Sequence, residues 1–281
     1  MKQHEGDAFS VSHRRSNEPI ERVYAIGDVH GRFDLFQQLI AIVEQDHARR
    51  PPASTQIILL GDIVDRGPDS AHMVRGCMKL AALSNRFMVL KGNHEEMMVE
   101  ALTGNMEAFA AWLRFGGTQT LLSWGMSEAE LDDPPTMDTL HRAAEAVGSE
   151  AITWLSKLPL YHQHGDYLFV HAGIRPGVPL RRQKASDLLW IKDDFLDSDV
   201  GHGVTVVHGH SIAEGGPVVR ANRIGIDTGA YRSERLTALG IEGSSHWILS
   251  TGADAQGSSE DAERYPLQTG LGGTSAGQDG I

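Results

Sequence analysis

The stretch that most constrains this chain is IILLGDIVDRG, Ile57 to Gly67. Four apolar residues end in Gly-Asp, and Asp65-Arg66 follows close behind. An apolar run of this length, closed by Gly, reads as a buried strand. Open α/β folds bind their ligands at the carboxyl ends of strands, so Asp62 is placed where ligands go. The pattern recurs twice, in VYAIGDVHG (Val23 to Gly31) and FMVLKGNHE (Phe87 to Glu95). Each is an apolar run, a Gly, and then a residue type that can hold a divalent metal. If the three strands are neighbours, Asp28, His30, Asp62, Asn93 and His94 arrive at one edge. Gly-Asp and Gly-Asn are ordinary turn pairs, and one such pair would call for no other reading. Three, each carrying further imidazole or charged residues, do call for one.

Between these strands the spacing predicts helices. Leu35, Phe36, Leu39, Ile40, Ile42 and Val43 recur at helical intervals within 33–50, and Pro51-Pro52 stops the run. A second helix is expected over 70–83, carrying Met73, Val74, Cys77, Met78 and Leu80. This alternation is that of a layered α/β fold. From Glu95 to Lys157 the pattern is helical but irregular, with Met97, Met98, Leu102, Phe109, Trp112, Leu113 and Phe115 expected to cluster. Gly116-Gly117 and the Asp132-Asp133-Pro134-Pro135 run interrupt it. A helical insertion of about 96–160 is expected to flank the sheet edge, inside a catalytic domain of 22–250.

Strands return with YLFVHAGI (Tyr167 to Ile174) and VTVVHGHS (Val204 to Ser211), which deliver His171, His208 and His210. RIGIDTGAY and RLTALGIEG are expected to form an antiparallel meander, and 246–250 adds one more strand. Residues 1–21 and the Gly/Ser-rich 251–281 are expected to be disordered tails.

The length of 281 residues suits one or two domains, with 41% hydrophobic and 22% charged residues. The single Cys77 cannot form a disulfide within the chain, which points to a reducing, cytoplasmic compartment. The net charge of -12 argues against nucleic acid or an anionic membrane as partner. No apolar run reaches membrane-spanning length, and the first twenty residues lack the apolar segment of a signal peptide.

Carboxylate, imidazole and amide oxygen together suit divalent Mn, Fe, Zn or Mg. The strand ends offer too many ligands for one ion and enough for two, with Asp62 as the bridging carboxylate. Such a pair can hold a hydroxide and clamp phosphoryl oxygens. His47, His72, His141, His162, His164, His202 and His246 are read as surface, satisfied or structural residues.

GDVHG, GDIVDRG and GNHE, followed by HAG and GH, resemble the calcineurin-like metallophosphoesterases. The resemblance is closest to the phosphoprotein phosphatases, in the compact form found in bacteria and bacteriophage. It covers roughly 22–243 and implies a four-layered αββα sandwich with mixed β-sheets. It assigns Asp28, His30 and Asp62 to one ion, and Asp62, Asn93, His171 and His210 to the other, with manganese the first expectation. His208 takes no ligand role. It makes Arg66 the phosphate-holding residue, His94 the general acid and Asp65 the carboxylate that orients His94. Attack by a metal-bridging hydroxide is implied, with no phosphoenzyme. The family's second phosphate-binding Arg is Lys192 here, in LLWIKDDF, which keeps the charge without the bidentate fork. Arg181, Arg182 and Lys184 nearby read as a solvated basic face.

The substrate expected from the resemblance is a phosphorylated protein or a small phosphoester, cleaved by a serine/threonine protein phosphatase. The alternative is a symmetrical diadenosine tetraphosphate hydrolase. Those enzymes usually carry Gln where His30 stands, which places GDVHG on the protein-phosphatase side. A non-catalytic scaffold would have lost ligand residues, and the main motifs have lost none. The sequence leaves the oligomeric state open.

Overall fold

A computed structural model describes residues 19–131 and 134–252. The expected tails lie outside these residues except for 19–21 and 251–252, as do Asp132 and Asp133. The chain begins β1 (Arg22–Ile26), α1 (Phe33–Arg49), β2 (Thr55–Leu59), α2 (Ser70–Leu83) and β3 (Phe87–Val89). Helices α3 (Asn93–Leu102), α4 (Met106–Trp112), α5 (Thr118–Ser123), α6 (Met137–Val147) and α7 (Ser149–Ser156) follow. Then come β4 (Tyr161–His164), β5 (Tyr167–Val170), α8 (Ala185–Trp190), α9 (Asp193–Leu196), β6 (Thr205–His208), β7 (Val218–Val219) and β8 (Arg223–Gly225). Helix α10 (Ala230–Ser233) and the hairpin β9 (Thr237–Glu242) and β10 (Ser245–Ser250) close the described chain.

The strands form two five-stranded sheets, ordered β10-β9-β1-β2-β3 and β4-β5-β6-β8-β7. Each has three parallel strands, β1-β2-β3 in the first and β5-β6-β8 in the second, with antiparallel neighbours outside them. The alternation of side chains along β1 explains the stacking. Val23 and Ala25 face a core shared with Tyr167, Phe169, Val207 and Ile224 of the second sheet. Tyr24 and Ile26 face a core formed with residues of α1 to α7. Likewise Leu168 and Val170 pack against Leu188 and Phe195 of α8 and α9. Both faces of the central strands are therefore covered, and the layers run helix, sheet, sheet, helix, as the resemblance implied. Among the described residues no helix is long and apolar enough to cross a membrane.

Two expectations fail. RIGIDTGAY and RLTALGIEG do not form a meander: β8 pairs parallel with β6, while β9 pairs antiparallel with β1. The turn between them, around α10, carries the chain from one sheet to the other. Phe115 does not join the helical cluster. Met98, Leu102, Phe109 and Trp112 are buried there, whereas Phe115 is 57% exposed. The chain turns at Gly116, whose φ of 118° lies outside the range of ordinary L-residues. The Gly116 carbonyl accepts the Arg66 N–H at 3.2 Å, so this turn serves the Arg66 loop.

Candidate active site

The parallel strands of both sheets point their carboxyl ends at one place. Strand β1 leads to Asp28 and His30, β2 to Asp62, Asp65 and Arg66, and β3 to Asn93 and His94. Strand β5 leads to His171, β6 to His210 and β8 to Asp227. Donor atoms of His30, Asp62 and His94 lie within 4.8 Å of one another, and so do those of Asp62, His171 and His210. Asp62 belongs to both groups. Its Oδ1 is 3.5 Å from His171 Nε2, and its Oδ2 is 3.6 Å from His30 Nε2.

The chain reaches this geometry through backbone that few residues adopt. His30, Asp62, Asp65, Arg66 and His210 all have φ between 47° and 72°. Among the described residues the sole other non-glycine with left-handed backbone is Glu234. Such strain persists where the surroundings over-determine it, and it collects at functional sites. The motif glycines permit close approach. A Cβ on Gly92 would collide with Asp62 Oδ1, and one on Gly209 with Asp28 Oδ1. Any side chain at either position would push these carboxylates aside.

Hydrogen bonds set the ring tautomers. His30 Nδ1 donates to the Val64 carbonyl at 3.0 Å, and His171 Nδ1 to the Leu60 carbonyl at 2.9 Å. Each Nε2 is thereby left with a lone pair facing the cluster. His171 Nε2 stands 2.8 Å from Asn93 Oδ1, and His210 Nδ1 stands 3.0 Å from the same oxygen. Burial keeps His30 neutral, with its pKa lowered to about 3. Burial also lowers His210 to about 4, helped by His171. Burial opposes charge on Asp62, but the His94 ring beside it and the His94 backbone N–H, which donates to Asp62 Oδ1 at 3.0 Å, outweigh it and hold the carboxyl below its usual range. Lone pairs of the His30 and His171 rings, the Asn93 amide oxygen and the Asp62 carboxylate thus converge, which is the donor set a divalent cation requires.

Asp28 stands beside these groups. Its carboxylate accepts the His210 backbone N–H at 3.0 Å, and burial together with Asp227 and Asp62 pushes its pKa well above the usual range. Burial raises Asp227 to about 6, and the two acids share a hydrogen bond. A pair of buried carboxyls this close keeps a proton between them unless a cation replaces it.

His94 is held differently. Its Nδ1 lies 2.7 Å from Asp65 Oδ2, and Asp65 also accepts the Trp112 indole N–H at 2.9 Å and the Thr120 hydroxyl at 2.6 Å. Burial works against a charged ring, yet Asp62 and the Asp65 hydrogen bond prevail and raise the His94 pKa. Arg66, half-buried, reaches His30 Nε2 at 3.1 Å and His94 Nε2 at 3.0 Å, with its guanidinium 4.7 Å from the Tyr231 ring centre. Lys192 is exposed, near enough to His210 for its charge to help lower that ring's pKa. Arg181, Arg182 and Lys184 are exposed. His208 is buried against Phe195.

A model of the calcineurin-like phosphoesterases matches residues 21–231. The chain belongs to this family. Calcineurin-like phosphoesterases work with a dinuclear divalent site, and the two His/Asp groups fit one. The sequence is 30% identical over 156 residues to a symmetrical bis(5'-nucleosyl)-tetraphosphatase of Aromatoleum aromaticum, covering 55% of this chain and 45% of that one. The chain thus spans less than half the length of this curated relative. In fold it resembles a crystal structure of a candidate diadenosine tetraphosphatase, with a TM-score of 0.56, 20% identity, and coverage of 84% and 96% of the two chains. It also resembles a cold-active protein-tyrosine phosphatase of a psychrophilic Shewanella, with a TM-score of 0.52, 16% identity, and coverage of 82% and 77%.

Sequence reasoning passed over two residues of this phosphoesterase site. Asp227 ends an apolar run as Asp28 and Asp62 do, and Ile224-Gly225-Ile226 was the available signal. Glu95 closes GNHE. Fully buried, it accepts backbone N–H groups from Asp62, Ile63 and Gly92, each at 2.8 Å, so it staples the second loop to the third. Burial and Asp62 raise its pKa to about 7.

Proposed function

We propose that this phosphoesterase hydrolyses the polyphosphate chain of a dinucleoside tetraphosphate, cutting it symmetrically. The observation that carries the hydrolytic reading is one juxtaposition: an acid held by a carboxylate (His94 and Asp65) and a guanidinium (Arg66) face two convergent lone-pair clusters. The dinucleotide reading draws on the activity named for the curated relatives. It reverses the preference for a protein phosphatase that GDVHG suggested.

Asp28, His30 and Asp62 would hold one divalent ion, and Asp62, Asn93, His171 and His210 the other. When bound, such ions activate water and stabilise charge on a phosphoryl group. The protein's own groups do the rest. Arg66 offers a planar pair of donors to phosphoryl oxygens. Tyr231 keeps that guanidinium from swinging into solvent. Water adds to phosphorus, giving up one proton to solvent, as the bond to the bridging oxygen breaks. The leaving diphosphate takes its proton from His94 Nε2, while Asp65 fixes the ring through Nδ1. Two nucleoside diphosphates result.

The test is to strip the protein of metal, restore Mn²⁺, and offer diadenosine tetraphosphate beside a phosphothreonine peptide. Adenosine diphosphate as sole nucleotide product supports the reading. Phosphate release from the peptide with the dinucleotide untouched would return the chain to the protein-phosphatase reading, which His30 in GDVHG favours.

A further inference from the structure

Among the described residues, two aromatic rings flank the histidines of the site, and of these Trp190 is the one free to take a ligand. Tyr231 is engaged, with the Arg66 guanidinium 4.7 Å from its ring centre and the His30 ring 5.3 Å away, edge to face. Trp190 is 43% exposed. It ends α8, whose preceding Leu188 and Leu189 are buried, so the helix drives its apolar side inward and leaves the indole at the surface. The ring is nevertheless fixed: its N–H donates to Glu96 Oε2 at 2.8 Å, bracing α8 against α3. The indole centre lies 6.3 Å from that of His210, with the planes at 80°. Lys192, two residues on, is exposed and near enough to His210 for its charge to act on that ring. An indole that is immobilised, exposed and beside a phosphate-handling site has the properties of a stacking platform. Bases of any kind have π-faces that such a ring can cover, and a neighbouring cation steers the attached phosphates.

We propose that Trp190 is the stacking shelf for one nucleobase of the substrate, with the attached phosphates passing Lys192 to reach the His210 side of the site. The inference rests on the dinucleotide reading and names the contact that would give it base recognition. The Glu96 hydrogen bond holds the ring ready, so little ordering is needed when the base arrives.

The experiment uses the full chain with Mn²⁺ and the variants Trp190→Phe and Trp190→Ala. Kinetics on diadenosine tetraphosphate are compared with those on inorganic tripolyphosphate, which has no base. Trp190→Ala is expected to lower kcat/KM for the dinucleotide about tenfold more than for tripolyphosphate, chiefly through KM. Trp190→Phe, which keeps a ring but loses the bond to Glu96, is expected to recover most of that factor. Equal losses on both substrates, or no rescue by Phe, would overturn the shelf. Binding is read separately, by titrating adenosine diphosphate against indole fluorescence. Saturable quenching in the wild type that disappears in Trp190→Phe supports the shelf, and quenching that persists in the variant overturns it. If the dinucleotide is not turned over but this quenching is seen, the proposed reaction fails while the base-binding shelf stands.

Discussion

Two networks of polar side chains in this molecule are built on opposite plans. Around Asp46, on α1, every group finds a partner. The carboxylate accepts the Tyr24 hydroxyl at 2.6 Å, Arg50 Nε at 2.8 Å and the Trp247 indole N–H at 3.0 Å. The Arg50 guanidinium covers the Trp247 ring at 3.4 Å. Burial and this hydrogen bond push the Tyr24 hydroxyl well above its usual pKa, so it remains a donor throughout. Around Asp62 the plan is inverted. Carboxyl faces carboxyl in Asp28 and Asp227, lone pair faces lone pair in His171 and Asn93, and the backbone is left-handed at five positions. The first network is complete without help and contributes stability. The second leaves like groups facing one another, an arrangement that divalent cations would complete, and its surroundings hold it in that state.

The sharpest way to break this contrast is Asp62→Asn. Loss of the shared carboxylate is expected to abolish detectable turnover and to reduce metal per chain after equilibration with Mn²⁺, read by elemental analysis. Full occupancy in the variant would refute Asp62 as the shared ligand. Next comes His94→Asn, expected to lower kcat by about 10²–10⁴ with the melting temperature retained. The loss should shrink on p-nitrophenyl phosphate, whose leaving group needs no proton. A uniform loss on all substrates would remove His94 as the acid.

The Asp46 network should respond in the other currency. Asp46→Ala strands three donors and is expected to cost about 2–4 kcal/mol in chemical denaturation, with kcat unchanged. A fall in kcat with stability intact would erase the distinction between the two networks. The smallest effect concerns His246, expected to be satisfied or at the surface. It is 7% exposed, and neither ring nitrogen has a hydrogen-bond partner among the described residues. Burial lowers its pKa from 6.5, so the unfolded chain binds the proton more readily than the folded one. Its contribution to stability is therefore present above pH 6.5 and lost as the pH falls below it. His246→Leu should lose less stability than the wild type between pH 7.5 and 5.5, and an equal loss in both would exclude it as an acid-sensitive group.

Much of the site was legible because its signals are local. A strand's apolar run and the Gly and ligand that end it sit within ten residues of one another, and a parallel strand carries its carboxyl end to a predictable edge. Asp28, Asp62, Asn93 and His171 were therefore readable from where their runs stop. Helix α2 was equally readable, and the structure starts it at Ser70 and ends it at Leu83, as the spacing predicts. Asp227 carries the same local signal, but its run was assigned to a meander, so it was never counted among the strand ends facing the site. Glu95 was invisible for another reason. A carboxylate that accepts several backbone N–H groups from a distant loop leaves no periodicity in the sequence.

The amino-acid order by itself determined the layered α/β class, the strand ends that carry the convergent side chains, and the family to which the motifs belong. These follow from alternation and from glycine placed before a ligand, both short-range properties. Tertiary structure alone decided which sheet β8 joins, that Asp28 faces Asp227, that Glu95 staples two loops, and that Trp190 stands exposed beside His210. Each of these depends on segments far apart in the chain meeting with a particular register. That meeting is set by how two sheets bury their shared faces, which no local pattern records.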